Sequence, residues 1–283
     1  MTIPRIYLPH LSPETERIVL DGEDFHYLTR VLRVSQGEEL MAYGWDDAEA
    51  RVIVEEIGRN YIAGRLLEVV SVPPCPVSIT LLQAVLKEDA MDEAIKGAAT
   101  LGVSVFQPVL AERSVPRLSG PDVQARRAER WQKIAVRASS LARVGKPMAV
   151  RNIVDFETSL SGAALNPHET AHWILCEKEL GRNLVSELMS GPRSGAAIAI
   201  GPEGGFSEGE RTKAESAGWT AVGMGRRILP ASLAGLVATT LVLGYWGDLA
   251  PEKTAGLKSR PKTANEGTGT RTKRGSPRRR VPS

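Results

Sequence analysis

The residues best suited to chemistry follow an apolar run, in the segment Ala196–Glu210, which reads AAIAIGPEGGFSEGE. Its first part, Ala196–Ile200, predicts a buried β-strand that runs directly into glycines. Because glycine has no Cβ, its backbone amides and carbonyls can approach a ligand closely. Ser207 and Glu210 have the Ser-x-x-Glu spacing of a capping box, which predicts a helix start. Ligands of open α/β sheets bind beyond the carboxyl ends of strands, so this segment is a candidate ligand loop.

A second glycine turn, Val222–Leu229 (VGMGRRIL), precedes an apolar helix. Neither turn has the GxGxxG or GxxxxGK[ST] pattern of the common phosphate-binding loops. Each turn alone also fits a simple connection between a strand and a helix. Two such turns at the ends of successive strands favour two walls of one pocket.

Cysteine and histidine give no metal signal. Cys75 and Cys176 are far apart and form no CxxC pair, which indicates a reducing compartment. His168 and His172 have helical spacing but lack the HExxH pattern, so a solvated loop is expected there and no metal. No secretory leader and no apolar run long enough to cross a bilayer are visible. The expected location is the cytoplasm, with no membrane partner.

The net charge of +3 is unevenly distributed. Residues 250–283 carry a net charge of +8, and the rest of the chain carries −5. The body therefore does not indicate nucleic-acid binding by charge alone. The tail has no hydrophobic period and is expected to be disordered. It is either a solvated appendage or an arm that binds RNA phosphates.

Two domains are expected in front of this tail. Residues 1–72 predict a small β-rich domain, followed by the stiff linker Val72–Pro76. Its predicted strands are Glu39–Tyr43, Ala48–Glu56 and Tyr61–Val70, with a helix at Asp24–Arg33. Residues 77–249 alternate between strands and helices, which predicts an α/β fold with a parallel sheet covered on both faces.

The helices of the second domain have recognisable apolar stripes. In the predicted helix Asp89–Leu101, which Gly102 should cap, the stripe is Met91, Ala94, Ile95 and Ala98. In the long helix after Pro121 it is Trp131, Ile134, Ala135, Ala138 and Leu141. A final apolar helix is predicted at Leu229–Gly244, with Pro230 in its first turn.

Taken together, these segments resemble the bacterial 16S ribosomal RNA uracil-N3 methyltransferases of the SPOUT superfamily. The signature lies in Ile200–Ser207, Met224–Leu229 and Gly247–Leu249. Further matches are Lys87–Pro108, Glu112–Ser114, Arg130–Ile134 and His26–Gly37. The resemblance covers residues 5–249, and it is specific through the order and spacing of motifs that are individually weak.

The resemblance implies a PUA-like RNA-binding β-barrel at 1–72 and a SPOUT methyltransferase domain at 77–249. The carboxyl-terminal segment of such a domain is threaded into a trefoil knot, an exception to the rule against knots. In this family S-adenosyl-L-methionine (SAM), the methyl donor, lies between three loops. Carried onto this sequence, the expected cofactor-binding residues are Leu175, Cys176, Glu177, Ile200, Gly201, Glu203, Gly204, Gly205, Met224, Gly225, Ile228 and Leu229.

The resemblance also implies 16S rRNA or the small ribosomal subunit as the partner, a homodimer, and chemistry that needs no metal. Arginine suits both RNA phosphates and the anion that develops on a uracil ring. We therefore expect catalytic roles for Arg113 and Arg227 and RNA contacts for Arg30, Arg33 and Arg143.

The sequence departs from the family at three places. Pro230–Leu233 stands where the family has Arg-x-Glu-Thr, and Ser140–Val144 where it has Glu-Gln-x-Gly-Arg, with only Arg143 able to substitute. Thr100 occupies the position of a customary glutamate. Two alternatives therefore stay open: a SPOUT enzyme with another RNA target, and a non-catalytic RNA-binding or ribosome-assembly relative.

Overall fold

The computed structural model describes residues 3–12, 14–44, 48–71, 74–115, 118, 120–162 and 169–249. The predicted basic tail at 250–283 lies outside them. A small five-stranded sheet is built from the first part of the chain. Its strands are β1 (Arg5–Tyr7), β2 (Arg17–Asp21), β3 (Glu39–Tyr43), β4 (Ala48–Ile57) and β5 (Tyr61–Ser71), in the order β1-β3-β4-β5-β2.

All pairs in this sheet are antiparallel except β1 with β3. Alternate residues of β2 are buried, as expected for a sheet with one face on a core. That core includes Leu28, Leu40, Val52 and Ile62. The three strands predicted in this region are confirmed, with ends that differ by no more than a residue.

The helix predicted at Asp24–Arg33 is only partly right. Helix α1 covers Gly22–His26 and changes into a π-helical turn at Tyr27–Val31. The Leu32 N–H donates to the Tyr27 carbonyl oxygen at 3.1 Å, a bond that spans five residues rather than four. Arg33 then ends the segment in the left-handed region, at φ 55°.

A seven-stranded sheet follows, and all its recorded pairs are parallel. The strands are β6 (Ser78–Ala84), β7 (Val105–Leu110), β8 (Ala149–Val150), β9 (Val154–Asp155), β10 (Thr170–Leu175), β11 (Gly195–Ile200) and β12 (Thr220–Val222). Their order is β12-β10-β11-β6-β7-β8, with β9 paired to β7. Because the strands are parallel, their carboxyl ends meet at one edge.

Helices cover this sheet. They are α2 (Glu88–Thr100), α3 (Pro121–Ala142), α4 (Phe156–Gly162), α5 (Leu184–Met189), α6 (Glu208–Ser216) and α7 (Ala231–Trp246). A Cβ on Gly97 of α2 would lie 2.4 Å from Leu236 Cδ1 of α7, so any larger residue here would have to displace the Leu236 side chain. Among the described residues no helix has the length and apolar character needed to cross a membrane.

The predicted stripes are largely confirmed. All four stripe residues of α2 are buried, and Gly102 follows the helix at φ 79°. In α3, however, Leu141, in the last turn of the helix, is 80% exposed. Pro230 precedes α7 instead of opening it, since its ψ of 143° is extended. His172 belongs to β10 and packs edge-on against Trp219, so a solvated loop was wrong for it. His168 lies outside the described residues.

The small sheet is fixed to α3 by specific bonds. The Tyr43 hydroxyl donates to the Val136 carbonyl oxygen at 3.0 Å, and the Ser140 hydroxyl donates to the Arg5 carbonyl oxygen at 3.3 Å. Burial raises the pKa of Tyr43 to about 12, so this phenol stays protonated as a donor. The predicted domain limits and the knot stay predictions.

Candidate active site

A cavity of about 530 Å³ opens at the carboxyl edge of the parallel sheet. This is within the usual size range of cofactor and ligand pockets. The loops that follow β10, β11 and β12 form its walls, and the segments after β6 and β7 and the first turns of α2, α6 and α7 contribute further residues. The two glycine turns singled out in the sequence therefore belong to one pocket.

The loop between β11 and α6, residues 201–207, is the most constrained wall. Gly205 adopts φ 68°, and its N–H donates to the Pro202 carbonyl oxygen at 2.8 Å. A Cβ on Gly201 would lie only 3.0 Å from the Phe206 nitrogen. The predicted capping box is confirmed: Ser207 Oγ accepts from the Glu210 N–H, and Glu210 Oε2 accepts from the Ser207 N–H.

Two further bonds fasten this loop to the end of β7. Arg113 Nη1 donates to the Gly204 carbonyl oxygen at 2.9 Å. The Glu112 N–H donates to Glu210 Oε1 at 2.8 Å, so the same carboxylate caps α6 and holds the neighbouring turn. Arg113 is thus a support for the loop as well as a cation on the cavity wall.

The loop after β10 brings Cys176, Glu177 and Lys178 to the cavity. Behind them, the Glu179 carboxylate accepts the N–H groups of Gly181 and Arg182 and a bond from Arg211 Nη2. These bonds, those from the backbone first, lower the pKa of Glu179. Burial raises the pKa of the Cys176 thiol, which argues against a reactive thiolate.

Gly223 marks a close crossing of two chain segments. Its N–H donates to the Arg182 carbonyl oxygen at 2.8 Å, and its own carbonyl accepts from the Leu184 N–H at 3.0 Å. A Cβ at this position would lie 2.1 Å from the Glu179 carbonyl oxygen. Since that neighbour is backbone, only glycine fits.

The loop between β12 and α7, residues 223–230, is far less constrained beyond this crossing. Gly225 has φ 93° with open space around its Cβ position. Arg227 lines the cavity and is exposed, and Ile228 is 80% exposed. Within the described part of the chain, the Arg227 side chain has no hydrogen-bond or ion-pair partner.

The structure brings nearly all the predicted site residues together. Arg113, Arg227 and all twelve residues expected at the cofactor line this one cavity. Arg30 and Arg33 lie elsewhere, at the end of the π-helical turn. Arg143 also lies outside the cavity and ends α3 at φ 59°. The roles assigned to these residues stay predictions.

Thirteen further residues line the cavity that were not named as cofactor-binding or catalytic residues, although Pro202, Phe206, Ser207, Glu208 and Val222 lie within the two glycine segments. They are Leu86, Ala90, Lys178, Pro202, Phe206, Ser207, Glu208, Arg211, Val222, Pro230, Ala231, Ser232 and Ala234. Leu86 and Ala90 could have been found, because the end of any parallel strand next to β11 must reach the same edge. Lys178 belongs to no sequence motif that would have indicated a place in the cavity. In the described residues no group of three or more His, Cys, Asp or Glu is arranged to hold a metal.

Comparison with protein families identifies two matching segments. Residues 73–243 match the model of the RNA methyltransferase domain, and residues 20–67 match the model of the RNA methyltransferase PUA domain. The first match alone spans more than half of the chain.

Individual relatives support the same family assignment. The ribosomal RNA small subunit methyltransferase E of Mycobacterium tuberculosis is 29% identical over 237 residues, covering 80% of this chain and 86% of that protein. The protein of the same name from Bacillus subtilis is 24% identical, covering 81% and 90%.

Among solved structures, the small subunit methyltransferase E of Neisseria gonorrhoeae, bound to SAM, superposes with a TM-score of 0.78 at 27% identity. The match covers 87% of this chain and 99% of that one. A Legionella pneumophila protein shares the fold, with a TM-score of 0.79 at 24% identity, over 88% of this chain and all of that one.

Proposed function

Since this chain belongs to the RNA methyltransferase domain family, with a PUA-like domain in front of a SPOUT α/β domain, we propose that it methylates N3 of a uridine in 16S rRNA and takes the methyl group from SAM. The observation that carries this proposal is the cavity itself. Its three walls come from widely separated loops, and they unite every residue that the family resemblance assigned to the cofactor.

The cavity residues fit SAM. Leu175, Ile200, Met224 and Leu229 supply an apolar surface suited to the adenine ring, and they lie partly or fully buried. Gly204 and Gly225 leave room for close approach to backbone groups. The carboxylates of Glu177 and Glu203, both exposed in the cavity wall, suit ribose hydroxyls and the ammonium group.

When bound, SAM supplies an electrophilic methyl group on its sulfonium sulfur. The chain must hold the uracil ring in line with that group, which contributes through proximity and orientation. Uracil N3 is protonated at neutral pH, so a group of the protein must accept its proton. Glu177, Glu203 and Glu208 are the glutamates that line the cavity. Arg227 would stabilise the anion that develops on the ring and hold a phosphate of the RNA.

The proposed partners follow from the same assignment. The substrate is 16S rRNA, free or in the small ribosomal subunit, and the place of action is the cytoplasm. A homodimer is supported by α7, an apolar helix on which Leu233 and Tyr245 are each more than 40% exposed. A helix that is apolar on all sides is normally covered.

One observation favours a second candidate, a SPOUT enzyme with another RNA target. Pro230, Ala231 and Ser232 form part of the cavity wall, at the positions where the family resemblance leads us to expect Arg-x-Glu-Thr. These three residues are small and uncharged, so their contacts to the target nucleotide would differ from those of a charged Arg-x-Glu-Thr segment. The chemistry at the methyl donor would be unchanged.

The test is methyl transfer to rRNA that lacks the modification, followed by nucleoside analysis by mass spectrometry. N3-methyluridine is the expected product. Gly204→Val, which adds a branched side chain to the cavity wall against Arg113, should abolish it. Gly209→Ala is the matched control, because Gly209 lies on α6 outside the cavity and a Cβ there meets its nearest atom at 3.8 Å. Another methylated nucleoside would establish the second candidate, and none at all would indicate a non-catalytic relative.

A further inference from the structure

The ion pair between Glu179 and Arg211 is more buried than most ion pairs of this molecule. Arg211 Nη2 lies 2.9 Å from Glu179 Oε2, and the two side chains are 27% and 21% exposed. Among the ion pairs that the structure describes, only Arg5–Glu49 also has both side chains less than one third exposed. Solvent screens such a pair less than an exposed one, so it can hold two segments together.

The two residues of this pair belong to different walls of the cavity. Glu179 lies in the loop after β10, and Arg211 lies on α6, directly after the loop between β11 and α6. The Arg211 N–H donates to the Ser207 carbonyl oxygen at 3.0 Å, which attaches Arg211 to the capping residue of that loop. Within the described part of the chain, this pair is the only hydrogen bond or ion pair between residues 176–183 and residues 201–216.

Glu179 also lies where the third wall crosses the first. Its Oε1 accepts the N–H groups of Gly181 and Arg182 at 2.9 and 3.3 Å, which shapes the loop after β10. The Arg182 carbonyl oxygen in turn accepts from the Gly223 N–H at 2.8 Å, at the start of the loop between β12 and α7. Glu179 therefore connects, directly or through one residue, to all three loops that form the cavity.

Arg211 is held from two sides. Its Nε donates to Glu215 Oε1 at 3.1 Å, one turn further along α6, and its Nη2 donates to Glu179. An anionic group of a ligand would have to displace one of these glutamates, so Arg211 suits a support better than a ligand contact. Arg211 lines the cavity, whereas Glu179 is not among the lining residues. A change at Glu179 can therefore reach a bound molecule only through the loops.

We propose that Glu179 and Arg211 are positioning residues for the methyl donor: their ion pair holds the loop after β10 against the loop between β11 and α6. The inference rests on the proposed function in taking SAM as the ligand. A cavity whose walls separate part of the time binds in proportion to the fraction of time in which they are in place. Loss of the pair should therefore raise the Kd and KM for SAM, and leave kcat at saturating SAM and the KM for rRNA unchanged.

The test is calorimetry of SAM with variants of the full chain. Glu179→Gln keeps an oxygen for the two backbone N–H groups but removes the charge that Arg211 meets, and it should weaken SAM binding about fivefold. Arg211→Met should weaken it similarly, and the double variant should bind no more weakly than either single one, because the two residues act as a unit. Lys213→Met is the matched control, since Lys213 lies on the same helix, pairs with the exposed Glu157 and does not line the cavity. It should change the affinity by less than about twofold.

Two results separate positioning from a merely structural role. Arg211→Lys keeps the cation and should restore most of the SAM affinity that Arg211→Met loses. A lower Tm in Glu179→Gln, with the SAM affinity of the folded protein unchanged, would overturn the proposal. So would additive losses in the double variant, which would mean that Arg211 and Glu179 act on the donor separately.

Hydrogen exchange without any ligand keeps the proposal separate from the proposed function. Glu179→Gln should speed amide exchange both in residues 176–183 and in residues 201–207, and Lys213→Met should speed it in neither. Faster exchange in the loop after β10 alone would overturn the connection between the walls. Faster exchange in both loops, in a chain whose wild type binds no SAM, would overturn the proposed function alone.

Discussion

The two glycine loops of the cavity differ in how firmly they are held. The loop between β11 and α6 is fixed by the capping box, by the Glu112–Glu210 bond and by the bond from Arg113 to Gly204. The loop between β12 and α7 is fixed only at Gly223, and beyond it Arg227 and Ile228 extend into solvent. One wall is preformed, and the opposite wall is open.

This difference has a functional meaning under the proposed activity. A preformed wall suits the methyl donor, because a site that is already ordered loses little entropy when it binds a small ligand. An open wall whose arginine, Arg227, has no partner among the residues that the structure describes suits a large RNA, whose binding can order the loop. The substitutions below are arranged to separate the two walls, from the largest expected effect to the smallest.

The crossing at Gly223 should be the least tolerant position. Gly223→Ala places a Cβ 2.1 Å from the Glu179 carbonyl oxygen, and the free energy of unfolding should fall by about 3 kcal/mol through overpacking. Gly225→Ala, two residues further on, meets no atom within 4 Å and should cost only about 1 kcal/mol for its positive φ. Urea unfolding of both variants measures the contrast, and equal losses would show that the crossing is not a tight constraint.

Substitutions of Arg227 and Arg113 should separate the effect on rRNA turnover from the effect on SAM binding. Arg227→Met should lower kcat/KM for rRNA by roughly 10²-fold, the usual loss when a group that stabilises developing charge is removed, and leave SAM affinity unchanged. Arg113→Met removes the bond to Gly204 and should weaken SAM binding by about tenfold, the equivalent of about 1.4 kcal/mol. Kinetics with varied rRNA and calorimetry with SAM check the two parameters. Weaker SAM binding in Arg227→Met would contradict the division of the walls.

The Glu210 carboxylate, which accepts bonds from Ser207 and Glu112, should contribute moderately to thermal stability. Glu210→Gln keeps an oxygen for one bond but weakens the pair of charge-assisted bonds to Ser207 and Glu112, at a cost of about 1 kcal/mol. For a chain of this size that lowers Tm by about 2–4 °C, which calorimetry resolves. Glu208→Gln in the same helical turn, a glutamate outside the capping box, serves as the control and should leave Tm nearly unchanged. A similar loss in both variants would remove the special role of Glu210.

The smallest expected effect is the pH dependence of the stability that Glu179 contributes. The pKa of Glu179 is lowered from its ordinary value of 4.5, so its contribution to stability is present above that value and is lost as pH falls through the lower, folded-state pKa. The difference in Tm between the wild type and Glu179→Gln should therefore be visible at neutral pH and disappear in acid. A difference that persists at low pH would mean that the charge of Glu179 does not support the loop.

The same comparison shows what the sequence could predict. Gly201, Gly205 and Ser207 were accessible because their roles are local: a strand, a turn and a cap within a dozen residues. The need for glycine at Gly223 was not, since its neighbour Glu179 is over forty residues away and meets it only through the sheet order. Leu141 was misplaced for a related reason, because helical period gives the face of a helix but not which turns of that face are covered by the rest of the fold.

The π-helical turn illustrates a further limit. Apolar spacing predicted a regular helix through Arg33, and spacing cannot distinguish an α-helix from one that widens for a single turn. Leu28, within this turn, is fully buried, so tertiary packing that spacing does not record acts on the segment.

The most direct test of the central claim is isothermal calorimetry of SAM with the purified protein in the absence of RNA. A preformed donor site predicts binding to the wild type and to Gly209→Ala and none to Gly204→Val, with all three proteins folded. If the folded wild type fails to bind SAM until rRNA is added, the β11–α6 wall is not preformed. If it fails even then, the cavity is not a methyl-donor site.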